Sequence, residues 1–145
     1  FMEMAVVEAE KAGQMDEVPI GAVVVNLNGK IVAQAHNQVI TLADPTAHAE
    51  ILALREAGRK IGNYRLLNTT LYVTVEPCPM CMGAILHARV ARIVFGTFDP
   101  KWGAAGSLFN YEKDYRFNHR PEVITGICKE TCKNLMQDFF RTKRK

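Results

Sequence analysis

The sequence predicts an α/β fold, with helices on both faces of a mixed β-sheet. Three observations carry that expectation. Runs rich in β-branched residues at 20–26, 70–75 and 92–95 alternate with longer segments of helical spacing. Asn28-Gly29 sits between two strand-like runs, a strong hairpin signal. The closing segment carries one continuous apolar stripe at helical intervals. No repeat, linker or low-complexity tract interrupts the 145 residues, so a single domain spanning 1–145 is expected.

Met4, Val7 and Ala9 lie in a segment free of glycine and proline that reads as a first helix, broken by residues 13–17. Residues 20–26 are apolar without alternation, which suits a strand buried on both faces. Residues 30–36 supply its hairpin partner, and a loop covers 37–43. Asp44-Pro45 then announces a second helix, with Asp44 as N-cap and Pro45 at the first helical position. That helix runs to about 55–58 on Ile51, Leu52 and Leu54. A strand at 70–75, a helix at 77–87, a strand at 92–95 and a short strand at 122–125 follow. The last helix, over 129–143, turns Cys128, Cys132, Leu135, Met136 and Phe139 to one side.

A hydrophobic content of 48% with 23% charged residues is that of a globular chain and argues against disordered and membrane classes. No run approaches the roughly 18 apolar residues of a membrane span, and the start does not resemble a secretory signal. The net charge of +3 permits an anionic partner without demanding one. More pointed is the run Arg141-Thr142-Lys143-Arg144-Lys145, which reads either as a solvated end or as a phosphate contact. Four cysteines would allow two disulfides. Two of them, however, form a Cys-x-x-Cys that needs thiolates, which points to a reducing cytoplasm.

The chemistry concentrates in His48-Ala49-Glu50 and Pro77-Cys78-Pro79-Met80-Cys81. Structural zinc sites fill four positions with protein ligands, whereas catalytic sites supply three and leave one for water. His48, Cys78 and Cys81 make three, and Glu50 remains to move protons. Residues two apart on a helix point apart, so His48 and Glu50 converge only if the site lies off a helix N-terminus. Both motifs sit at predicted helix starts, whose partial positive charge favours thiolates and an activated water. Zinc lowers the pKa of bound water from about 15.7 to about 7. A lone Cys-x-x-C pattern also marks structural zinc or a redox pair, and a lone histidine is commonly packed in a core. Their joint placement is what makes the signal specific.

Other residues keep two readings. Glu76 is either a charge suited to a helix start or a second catalytic carboxylate. Cys128 and Cys132, with His119, suggest a second metal site, but their apolar face favours packing. His87 reads as an exposed helix end. Trp102 and Phe98, beside Lys101, would either stack bases or pack in the core.

The two motifs, together with Glu17-Val18-Pro19-Ile20-Gly21-Ala22, Ala35-His36-Asn37, Gly103-Ala104-Ala105-Gly106-Ser107, Phe117-Asn118-His119-Arg120 and Asp138-Phe139-Phe140-Arg141, resemble a known family. It is the zinc-dependent cytidine/deoxycytidylate deaminase superfamily and, within it, the bacterial adenosine deaminases that act on tRNA. The resemblance covers nearly the whole chain. It implies a three-layer α/β/α fold with a five-stranded mixed sheet, order 2-1-3-4-5, and a homodimer. It further implies one Zn²⁺ per subunit on His48, Cys78 and Cys81, with Glu50 as the catalytic proton shuttle. The activity implied is hydrolytic deamination of adenosine to inosine at the wobble position of a tRNA anticodon stem-loop. Asn37 would bind the purine, and Asp99, Lys101, Asn118 and His119 correspond to positions lining the anticodon-loop groove. Arg141 and Arg144 would meet the RNA backbone. Met82 and Trp102 depart from the commonest form of the family. A deaminase of free nucleobases or nucleosides, and a non-catalytic zinc-stabilised RNA-binding module, remain as alternative readings.

Overall fold

A computed structural model describes residues 1–144; Lys145, the last member of the basic run, lies outside them. Four α-helices and five strands follow the chain as α1 (Met2–Gln14), β1 (Gly21–Val25), β2 (Ile31–His36), α2 (Ala49–Ile61), β3 (Thr70–Val75), α3 (Pro79–Ala88), β4 (Arg92–Thr97), β5 (Glu122–Thr125) and α4 (Lys129–Lys143). The sheet order is β2-β1-β3-β4-β5, as the family resemblance implied. β1 is antiparallel to both β2 and β3, while β3, β4 and β5 run parallel.

Alternation along the central strands divides the core into two layers. Ala22, Val24, Leu71, Val73, Ile93 and Phe95 face α2 and α3, while Val23, Val25 and Val94 face α1 and α4. That is why β1 shows no polar alternation: all five of its residues are buried. Close approach also needs missing side chains. A Cβ on Gly21 would lie 2.0 Å from the Ala5 carbonyl of α1, and one on Gly96 would lie 2.4 Å from the Cys132 sulfur of α4. Cys132 is therefore a packing residue.

Several boundaries differ from the sequence reading. α1 passes through Gly13 and ends at Gln14, because Asp16, at φ 63°, makes the left-handed turn expected nearer the glycine. The hairpin forms, but Asn26 organises it: its side chain accepts the N–H groups of Asn28 and Lys30. The largest correction concerns α2. Asp44 does not cap it; its carboxylate accepts the backbone N–H and the hydroxyl of Thr46, a local turn that delays the helix to Ala49. α3 likewise starts at Pro79, two residues later than expected. α4 matches its expected span, but of its stripe only Cys132 is fully buried.

Candidate active site

The delayed start of α2 is what makes the metal cluster possible. His48 becomes the N-cap residue, in extended conformation, and its imidazole makes no capping bond. The capping duty passes to Asn37, whose side-chain oxygen accepts the Ala49 N–H at 2.8 Å. Cys78 holds the same position on α3, again without a capping bond, followed by Pro79. Two helix N-termini thus converge, each with its ligand side chain free to turn forward.

The ligand atoms of His48, Cys78 and Cys81 all lie within 4.8 Å of one another, the single such cluster among the described residues. His48 Nδ1 is 3.7 Å from Cys78 Sγ and 3.5 Å from Cys81 Sγ. A tetrahedral zinc at ordinary bond lengths holds sulfur and nitrogen about 3.5 Å apart. The residues fit the ion, and the set has three members rather than four. Among the protein groups themselves, the hydrogen bond from Cys81 brings the Cys78 thiol down to about 4 in spite of its burial, with His48 assisting. The donor of that bond, the Cys81 thiol, is pushed up by it and by burial, so without an ion the pair shares one thiolate and metal binding displaces the second proton.

Glu50 is 3% exposed, in the first turn of α2. Burial raises its carboxyl to about 7. Its Oε1 is buried without a hydrogen-bond partner. A buried carboxylate oxygen without a partner is uncommon, and this one stands beside the three-ligand cluster. The pocket it serves encloses about 440 Å³ and is lined by His48, Glu50, Ile20, Val75, Asp99 and Trp102 among others.

Glu76 settles into a role that neither sequence reading foresaw. It is 3% exposed, and its carboxylate accepts the N–H groups of Asp99 at 2.9 Å, Ala105 at 3.0 Å and Ser107 at 3.0 Å, plus the Ser107 hydroxyl. One carboxylate therefore gathers the 99–107 segment of the connection after β4. Gly103 makes room for it, since a Cβ there would lie 2.2 Å from the carboxylate. Asp99 in turn accepts the Lys101 and Trp102 N–H groups, which presents the indole at the pocket mouth with 65% of its surface exposed. Glu17 pins the loop after β2 by accepting the N–H groups of Ile40 and Thr41.

The structure brings Asp99 and Trp102 to the pocket and sets Lys101 beside them, but not Asn118 or His119. The His119 ring is 2.6 Å from the Val90 carbonyl, before the N-terminal end of β4, whereas the metal cluster follows the C-terminal end of β3. Parallel pairing of β3 and β4 puts those at opposite ends of the sheet. Within this chain Asn118 and His119 thus stand apart from Asp99 and Lys101. Nor does His119 join Cys128 and Cys132 in a metal cluster among the described residues. Arg141 is paired with Asp138, whereas Arg144 lines a cleft beside Lys101. Met82, on α3, is fully buried in the core and fits without displacing the ligands.

Comparison with known proteins agrees with this geometry. The "tRNA-specific adenosine deaminase" of Bacillus subtilis is 50% identical over 145 residues, all of this chain and 89% of the relative. A structure from studies of A-to-I editing by tRNA:A34 deaminases at the wobble position of transfer RNA superposes with a TM-score of 0.90. It is 44% identical, and the match covers 93% of this chain and 97% of that one. The guanine deaminase of Bacillus subtilis, 41% identical, superposes with a TM-score of 0.65 over 68% of this chain and 62% of its own. Residues 1–97 match the family described as the cytidine and deoxycytidylate deaminase zinc-binding region, and with the converging His48, Cys78 and Cys81 they establish that the chain belongs to it.

Proposed function

We propose that this chain is a zinc-dependent deaminase that converts adenosine to inosine at the wobble position of a tRNA anticodon loop. The observation that carries the reading is the buried, unpartnered Oε1 of Glu50 beside a cluster of three ligands. Overall, water adds at C6 of the purine, the C6–N bond breaks, and ammonia leaves. When bound to His48, Cys78 and Cys81, zinc supplies the Lewis acidity that makes water a nucleophile at neutral pH.

The chain's own residues do the rest. Glu50 takes the proton of the attacking water and hands it to the departing amino group. A carboxyl raised to about 7 by burial exchanges a proton at little cost near neutrality. Asn37 has its oxygen committed to Ala49, so its amide NH₂ is the group left to donate to a purine acceptor. Ile20 and Val75 wall the pocket, and Trp102 offers its exposed face to a base. Asp99 shapes the rim, and Lys101 and Arg144 are placed to meet phosphates. Among the expected RNA contacts Asn118, His119 and Arg141 have less support, since they lie away from the pocket or are ion-paired.

The reading extends to a homodimer and a cytoplasmic setting within one domain. An apolar hollow between α2 and α3, with Ile51, Leu54, Tyr64 and Ala84 in its lining, supports the first. Four unpaired cysteines support the second; among the described residues no helix is long and apolar enough to cross a membrane. The deciding experiment incubates zinc-loaded protein with anticodon stem-loops carrying adenosine at the wobble position, and with free adenine, guanine, cytosine and their nucleosides. Inosine in the stem-loop is expected. Turnover confined to free bases refutes the RNA assignment and favours the guanine-deaminase-like alternative.

A further inference from the structure

Glu8 is a buried carboxylate that the proposed reaction leaves unused. It stands in the middle of α1 with 6% of its surface exposed. Taking a carboxylate out of water is costly unless its oxygens find partners. Oε2 receives the ammonium of Lys11, one turn on, at 2.6 Å. Oε1 lies 3.2 Å from Nδ1 of His36, the last residue of β2 and 28 residues away in the chain. Burial pushes the Glu8 carboxyl up, but the bonds from Lys11 and His36 outweigh it and hold the group below its usual value. An ionised carboxylate only accepts, so Nδ1 of His36 carries a hydrogen towards it. The other ring nitrogen, Nε2, is buried without a partner. The imidazole therefore has one anchor, and that anchor is Glu8.

The contact exists because His36 is paired with Gly21 across β2 and β1. A Cβ on Gly21 would lie 2.8 Å from the Cβ of Glu8, so the missing side chain lets α1 come close enough for Glu8 to reach the end of β2. Strand alternation then carries the contact to the pocket. Ala35 packs in the core layer of α2, and His36 meets α1 on the other face. Asn37 comes next and turns back to the α2 side, where its oxygen accepts the Ala49 N–H. β2 is an edge strand, so backbone bonds hold its end from one side only. Beyond it the Asn37 N–H reaches the Ile20 carbonyl, and the chain leaves the sheet. A side chain fixed at 36 on one face sets the direction of 37 on the other.

We propose that Glu8 and His36 are positioning residues: through the imidazole they aim Asn37, and with it the purine, at the reacting centre. The inference rests on the deaminase reading above and adds to it two residues behind the base-binding amide. Neither touches the substrate, so their effect passes through Asn37.

The test uses the full, zinc-loaded chain, with zinc content assayed in every variant. His36→Phe keeps a ring and removes the donor, whereas His36→Asn puts an amide NH₂ where Nδ1 stands. On an anticodon stem-loop H36F is expected to lower kcat about tenfold, the scale of one hydrogen bond, with KM within about twofold. H36N recovers most of that loss. Asn37→Asp keeps the oxygen that caps Ala49 and removes the NH₂ that meets the base. In that background H36F should cost less than about twofold more, because the group it acts through is gone. Equal losses with and without N37D overturn the proposal, as does an H36N variant no better than H36F. Hydrogen exchange reads the same aim without activity: H36F should speed exchange of the Ala49 amide while amides of α3 keep their protection. Unchanged exchange at Ala49 overturns the proposal too. Where H36F loses stability throughout by stranding a buried carboxylate, E8L/H36F removes both members and carries the kcat and exchange comparisons. Absence of inosine with wild-type protein, alongside faster Ala49 exchange in H36F, defeats the deaminase assignment and leaves the positioning of Asn37 standing.

Discussion

Glu76→Gln isolates the device that builds the pocket rim. The carboxylate accepts four hydrogen bonds, three of them from backbone N–H groups 23 to 31 residues away in the chain. A glutamine keeps one oxygen and replaces the other with a donor. Oε2 faces two N–H groups, of Ala105 and Ser107, so the amide oxygen stays there. The NH₂ then faces the Ser107 hydroxyl, which can rotate to accept, and the Asp99 N–H, which cannot. One buried donor is left unmade, a loss of about 1–3 kcal/mol. For a chain of this length that lowers Tm by roughly 3–10 °C, taking about 0.3 kcal/mol per degree from the usual unfolding entropy. Thermal unfolding of zinc-loaded protein measures the loss, with zinc content assayed so that metal release is not mistaken for it. Hydrogen exchange localises it: the Asp99 amide should lose protection while β1 and β3 amides keep theirs. A variant that unfolds within about 0.5 kcal/mol of the parent, with unchanged exchange at Asp99, would show that Glu76 does not hold the loop.

Three other outcomes follow from the same structure. Glu50→Ala is expected to retain zinc by elemental analysis and to lose about 10²–10⁴-fold in kcat, whereas His48→Ala loses the metal as well; activity surviving in Glu50→Ala refutes its role as proton shuttle. Gly96→Ala forces a Cβ to 2.8 Å from the Thr74 carbonyl and against Cys132, and should cost about 1–3 kcal/mol in denaturant unfolding. Adding Cys132→Ala should recover only part of that, because the carbonyl cannot retreat; full recovery would mean the backbone contact is harmless. Trp102→Ala should weaken stem-loop binding by about 1–3 kcal/mol, while Trp102→Phe keeps most of it. Trp102 is the chain's only tryptophan, so stem-loop addition should also change intrinsic fluorescence, and an unchanged signal at saturation argues against stacking.

Much of the architecture was readable before any coordinates, and for one reason. Strand, turn and helix signals are local, and here they agree. The spans of β3, β5 and α4 match their expected limits, because alternation, turn residues and apolar spacing all lie within the element. The start of α2 was misread because Asp44-Pro45 is an equally good opening for a tight turn. Which of the two forms depends on Asn37, twelve residues before the Ala49 helix start it caps, being there to satisfy Ala49. The metal ligands were legible as chemistry, since three soft or imidazole ligands and one free carboxylate in that spacing suit few purposes.

What the linear chain determined by itself is the inventory: the order of helices and strands, the zinc-binding group and the carboxylate of Glu50 proposed as its proton shuttle, each specified by neighbours in sequence. What tertiary structure alone decided is which distant groups meet. Glu76 gathering the 99–107 loop and His119 settling at the far end of β4 both depend on parallel strands bringing remote segments side by side. Periodicity carries no record of such contacts, because a hydrogen bond or a shared cleft across 30 residues leaves no mark on either segment alone.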